Sequence, residues 1–252
     1  MKQITLEICA GDIDSVKAAV AGGADRVELC SALGEGGVTP SLGFIAAAKN
    51  IRGIRVHVLI RPRGGDFIYT PDEVECMRSD IAMCRSLGVD GVVIGALTPG
   101  GDIDMEACKR LVDEADNMSI TFHRAFDMAE DPDEALEDII SLGCDRLLTS
   151  GMAPTALDGI PTLMHLRERA EGRIRIMAGA GVSPATAPAI LKAAAADDLH
   201  ASARTKVTSP VKFRRESVKM GTPDADEFSR LTTSATIVRN LKDIITEYNT
   251  IH

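Results

Sequence analysis

The sequence predicts an α/β protein, a single closed (β/α)8 barrel of the TIM type that takes in residues 1–252, and three observations predict it. Short β-like runs alternate with longer helical stretches from one end to the other, as repeated βα units on a parallel sheet require. Eight such units can be counted in 252 residues, the length of one closed barrel. A short plan also recurs: Gly23-Ala24-Asp25-Arg26-Val27, Gly88-Val89-Asp90-Gly91-Val92 and Gly143-Cys144-Asp145-Arg146-Leu147, with Ala196-Asp197-Asp198-Leu199 as a degenerate fourth copy. All four copies introduce even-numbered strands, where a small residue closes the preceding helix and Asp begins the turn. A quarter-barrel period suits a closed barrel better than an open sheet.

The strands fall at residues 4–9, 26–30, 54–61, 91–95, 119–123, 146–150, 173–178 and 199–202, with helices in the gaps. Thr39-Pro40, Thr70-Pro71, Asp131-Pro132 and Ser183-Pro184 each set a cap residue before a proline suited to a first helical turn. Each pair lies shortly after a strand, so the βα loops gather on one face. Residues 203–222 break the pattern: Arg204, Lys206, Lys212, Arg214, Arg215 and Lys219 stand against one acid, Glu216. This is a long basic loop before the last helix, expected either to close over the mouth or to lie solvated.

Net charge of -9 and only 3% aromatic residues argue against a nucleic-acid partner. No apolar run is long enough to span a bilayer, and the N-terminus enters a strand-like segment without a signal-peptide core, so the expected location is cytoplasmic. The six cysteines form no C-x-x-C pair, which fits free thiols in a reducing compartment.

Side chains alternate along a strand, so parity sorts the barrel interior from the helix-facing side. In the first strand Thr5, Glu7 and Cys9 face in and Leu6 and Ile8 face out; in the second, Arg26, Glu28 and Cys30 face in and Val27 and Leu29 out. The third leaves His57, Leu59, Arg61 and, just beyond, Arg63 on the inner side; the fifth offers Thr121 and His123, the eighth His200 and Ser202. A mouth lined by Glu7, Glu28, Arg61, His123 and His200 is too polar for packing alone. The competing reading is a structural charge network of Glu7 and Glu28 opposite Arg26 and Arg61.

Two loops suit an anion. Met177-Ala178-Gly179-Ala180-Gly181 follows the seventh strand, where bare N–H groups can cradle a negative charge, and Arg61-Pro62-Arg63-Gly64-Gly65-Asp66 sets two arginines beside paired glycines. Cys9 and Cys30 end adjacent parallel strands, whose axes lie about 4.8 Å apart. Two thiols that close can clamp a soft ion such as Cu(I), whereas zinc wants four ligands.

Several segments together resemble the CutC family: Glu28-Leu29-Cys30-Ser31-Ala32-Leu33, Glu35-Gly36-Gly37-Val38-Thr39-Pro40-Ser41, Ile60-Arg61-Pro62-Arg63-Gly64-Gly65-Asp66-Phe67 and Thr121-Phe122-His123-Arg124-Ala125-Phe126-Asp127. The resemblance continues through Leu148-Thr149-Ser150-Gly151, the loop at Met177 and His200-Ala201-Ser202-Ala203-Arg204. It implies a (β/α)8 barrel that forms a homo-oligomer, a role in copper homeostasis, and Cu(I) held by the matching cysteines, Cys9 and Cys30. The alternative expectation is an enzyme acting on a small anionic substrate bearing phosphate or carboxylate. There Glu28 or His123 is the acid or base and Asp127 orients a neighbour. Glu7, Arg61, Arg63, Gly179, Gly181, His200, Ser202 and Arg204 bind the ligand.

Overall fold

A computed structural model describes residues 3–193, 195–215, 217–218 and 226–251. Eight parallel strands close in sequence order: β1 (Thr5–Ala10), β2 (Arg26–Leu29), β3 (Arg55–Leu59), β4 (Gly91–Ile94), β5 (Ser119–Phe122), β6 (Arg146–Thr149), β7 (Arg175–Ala178) and β8 (Asp198–Ala201), with β8 paired to β1. Around them lie α1 (Ile13–Gly22), α2 (Leu42–Lys49), α3 (Pro71–Ser86), α4 (Met105–Ala115), α5 (Pro132–Ser141), α6 (Ile160–Ala170), α7 (Ala187–Lys192) and α8 (Ala235–Ile251). The strand boundaries differ from the expected ones by a residue or two.

The recurring Gly-x-Asp plan has a structural cause. Each of the four aspartates exchanges two hydrogen bonds with the second residue of the preceding odd-numbered strand. The carboxylate of Asp25 accepts from the Leu6 N–H at 2.8 Å, and the Asp25 N–H donates to the Leu6 carbonyl at 3.0 Å. Asp90 does the same to Val56, Asp145 to Ile120 and Asp197 to Ile176. Four pins therefore fasten the N-terminal end of the barrel, satisfying donors at the start of strands where the ladder has no partner to offer.

Parity holds around the barrel. Leu6, Ile8, Val27, Leu29, Val56 and Val58 belong to the large apolar shell under the helices, whereas Cys9, Cys30, Leu59 and Val93 form a separate small cluster inside. The lower interior is ionic. Fully buried Glu7 pairs with Arg26, and fully buried Asp198 receives Arg175 at 2.7 Å and Arg146 at 3.5 Å. Glycines on β4 and just beyond it make room for histidines: a Cβ on Gly91 would meet the His57 ring at 2.6 Å, and one on Gly95 the His123 ring at 2.5 Å.

Thr70 and Asp131 cap helices as expected, Thr70 in a reciprocal capping box with Glu73. Two other cap expectations need correction. Ser41, not Thr39, caps α2, and Thr39 instead holds Arg61, its Oγ1 accepting the Arg61 N–H at 2.9 Å. Ser183 opens a turn that precedes the short α7. The start of the basic segment is a strand and not a structureless loop. Residues Arg204–Thr208 form β9, antiparallel to β10 (Ser229–Thr233), and the ribbon leans on α1 through Arg230, which reaches Asp12 at 2.9 Å and Asp14 at 3.0 Å. Lys219 and Glu216, part of the same expectation, lie outside the described residues.

Candidate functional site

At the C-terminal mouth a cavity of about 310 Å³ opens, its polar lining drawn mainly from Glu28, Arg61, His123, Arg124, His200 and Arg204. Cys9 reaches it from the floor, and Leu59, Phe67 and Leu148 supply apolar wall.

The floor is built from neighbouring strand ends. His200, on β8, places Nδ1 2.7 Å from a Glu7 oxygen on β1 and Nε2 3.7 Å from a Glu28 oxygen on β2. Glu7 thus lies between His200 and Arg26 below it. Burial pushes the Glu7 carboxyl up, but the Arg26 guanidinium and then His200 outweigh it and hold the group well below the usual carboxylate range. Burial likewise pushes His200 down, yet Glu28, the Cys9 thiol and Glu7 hold it well above an ordinary imidazole. Glu28 goes the other way: burial raises it and His200 only partly offsets the rise. Of the two carboxyls around His200, Glu7 is held toward the charged form and Glu28 is shifted toward the protonated one.

The thiols sit beside this group. Cys9 Sγ is 3.1 Å from Cys30 Sγ, and both sulfurs fall within 4.8 Å of each other and of a Glu28 oxygen. The contact with Cys30, together with burial, raises the Cys9 thiol well above its usual value. Both cysteines are free and buried.

On the opposite wall, His123 Nδ1 accepts the Ala125 N–H at 3.1 Å, which puts the ring proton on Nε2. Arg61 spreads over the Phe67 ring at 4.8 Å and donates to the carbonyls of Glu35 (3.0 Å), Gly37 (2.9 Å) and Gly65 (2.7 Å). It is not the ion-pair partner of Glu7 or Glu28; the charge network read from the sequence is confined to Arg26, Glu7 and His200 with Glu28 at its edge.

The remaining candidates scatter. Ser202, Gly181 and Arg204 line the cavity, while Gly179 is not part of the lining and gives its N–H to the Thr149 carbonyl at 3.0 Å. Arg63 turns away to Glu73 (2.6 Å) and Asp66 (3.0 Å), bracing its own loop. Asp127 orients neighbours, though not the histidine: it accepts from Thr149 Oγ1, from the N–H groups of Ser150 and Met152 (3.1 Å each) and from Arg124 at 2.7 Å. Arg124 is a charged lining residue that the sequence reading passed over. It lies one residue past His123, where strand parity no longer points inward, and Asp127 is what swings it to the cavity.

Residues 4–205 match the model of the CutC family. A family protein CutC of Chromobacterium violaceum is 50% identical over 240 residues, covering 95% of this chain and 97% of the relative. The human copper homeostasis protein cutC homolog is 45% identical over 240 residues, covering 95% and 88%. The solved CutC structure from Streptococcus agalactiae superposes with a TM-score of 0.76 at 33% identity, covering 79% of this chain and 99% of that one.

Proposed function

Because the chain belongs to the CutC family, we propose that it serves copper homeostasis by binding Cu(I) through Cys9 and Cys30 at the floor of the barrel mouth. The observation that carries this reading is the pair of sulfurs 3.1 Å apart beside Glu28, with Cys9 open to the cavity. Soft thiolates select Cu(I), which accepts two ligands, and the apolar collar of Leu59, Val93 and Leu33 limits water around them. The ligands bind as thiolates, so loading the site releases protons, and the Glu28 carboxyl stands beside the two sulfurs to relay them.

The same reading locates the protein in the cytoplasm, where thiols stay reduced. Six free cysteines support it, and among the described residues no helix is long and apolar enough to cross a membrane. It also includes assembly into a homo-oligomer. Exposed Val207 and Leu231 on the β9–β10 ribbon, and Phe213 in the segment between its strands, support that part, and light scattering tests it.

Anaerobic titration of Cu(I) against a competing chelator tests the copper site. The expected result is tight binding of one ion per chain that the Cys9→Ser, Cys30→Ser double variant loses. Unchanged affinity in that variant would remove Cys9 and Cys30 from the copper site.

A further inference from the structure

We propose that the mouth cavity is a binding site for a small organic oxyanion, a carboxylate- or phosphate-bearing metabolite, received by Arg61, His123 and Arg204. This goes beyond copper binding and stands without it, since none of the three is a thiol ligand.

The cavity is electropositive within an acidic protein. Arg61, Arg124, Arg204 and His200 line it against a single carboxyl, Glu28. Arg124 is already matched by Asp127. Arg61 is not matched. It is 5% exposed, its guanidinium donates to three carbonyl oxygens and lies against Phe67 and Tyr69, Asp66 is within electrostatic reach, and among the described residues no carboxylate lies within ion-pair distance of it. A buried cation with no carboxylate in contact is costly unless something supplies one.

Two donors on this wall are also unspent. His123 is 5% exposed, and its Nε2, which carries the proton because Nδ1 accepts from Ala125, has no partner among the described residues. Nor does Arg61 Nε have one. Buried N–H groups in a folded protein are nearly always bonded, and these two belong to side chains that line the cavity, where a ligand can supply the acceptor. Burial, and Arg61 beside it, push His123 down to about 3, so the ring is neutral and acts as a hydrogen-bond donor rather than as a second cation.

Across the opening, Ala180 and Gly181 follow β7 in the left-handed region, with φ of 71° and 73°, and both line the cavity. Alanine adopts that conformation only when the surroundings impose it, and such strain gathers at ligand sites. Arg204, at the start of β9, stands exposed in the lining and makes no ion pair among the described residues. The loops after the seventh and eighth strands are where barrels of this architecture hold anions. Apolar Leu33, Leu59, Phe67 and Leu148 leave space for a carbon skeleton, and the volume, near 310 Å³, limits the guest to a small molecule.

The test is calorimetric titration of the metal-free full chain with two probes, malonate and inorganic phosphate. The expected result is saturable binding of one probe per chain at neutral pH, with the preferred probe assigning the head group. Arg204→Gln, an exposed change that leaves the fold intact, should weaken it at least about tenfold. His123→Leu should weaken it as much, while His123→Gln, which restores an N–H near Nε2, should recover part of the loss. If neither probe titrates up to about 10 mM, or if Arg204→Gln and His123→Leu bind as the native chain does, the proposal is wrong.

Discussion

Gly95 and His123 occupy one space: a Cβ on Gly95 would stand 2.5 Å from Cε1 and 2.6 Å from Nδ1 of the imidazole. The glycine after β4 is what lets a ring from the end of β5 enter the mouth. Gly95→Ala should therefore destabilise the fold by about 1–3 kcal/mol, the usual range for overpacking. In combination with His123→Ala most of that cost should vanish, because the clash has lost its second member. A double-mutant cycle by urea unfolding reads the coupling; strictly additive losses would mean that the glycine serves some other end.

Arg26 is the counter-charge on which Glu7 depends. Arg26→Met leaves a fully buried carboxylate with only His200 beside it and should cost about 3–5 kcal/mol. The Glu7→Gln, Arg26→Met pair should be far milder than the single change, since both charges leave together. Denaturant midpoints of the two variants give the comparison.

The aspartate pins predict local and independent losses. Asp25→Ala and Asp145→Ala each strip an acceptor from the start of an odd-numbered strand, β1 and β5 respectively. Each should cost about 1–3 kcal/mol. The two lie on opposite sides of the barrel, so their costs should add.

Acid should weaken the fold before the carboxylates titrate. Burial depresses both His57 and His123 from the ordinary 6.5 to about 3. The unfolded chain thus takes up protons that the native rings refuse. Their stabilisation is whole above pH 6.5 and is lost as pH falls toward 3. Each ring contributes a slope of up to about 1.4 kcal/mol per pH unit. Between about pH 6 and 5 the slope of unfolding free energy should drop by about one proton in His57→Gln.

Much of this was legible before any coordinates. The two-residue period of a strand, once anchored on Leu6 and Ile8 or Val27 and Leu29, puts Glu7, Cys9, Glu28 and Cys30 inside, and the barrel keeps them there. Parity ends where the ladder ends. Arg63, beyond β3, follows its own loop to Glu73, and Arg124, beyond β5, is turned inward by Asp127 instead of by a strand. The ribbon β9–β10 was hidden for another reason: its partners are separated in sequence by a long basic stretch, and pairing over such a distance leaves no short-range signal.

The four aspartate pins secure the barrel at the end away from the chemistry. The strands themselves separate what must be kept from what can be rewritten. Loops at the mouth can accordingly be lengthened, exchanged or transplanted while the foundations go untouched, so a new ligand preference can be acquired by this chain without first renegotiating its architecture.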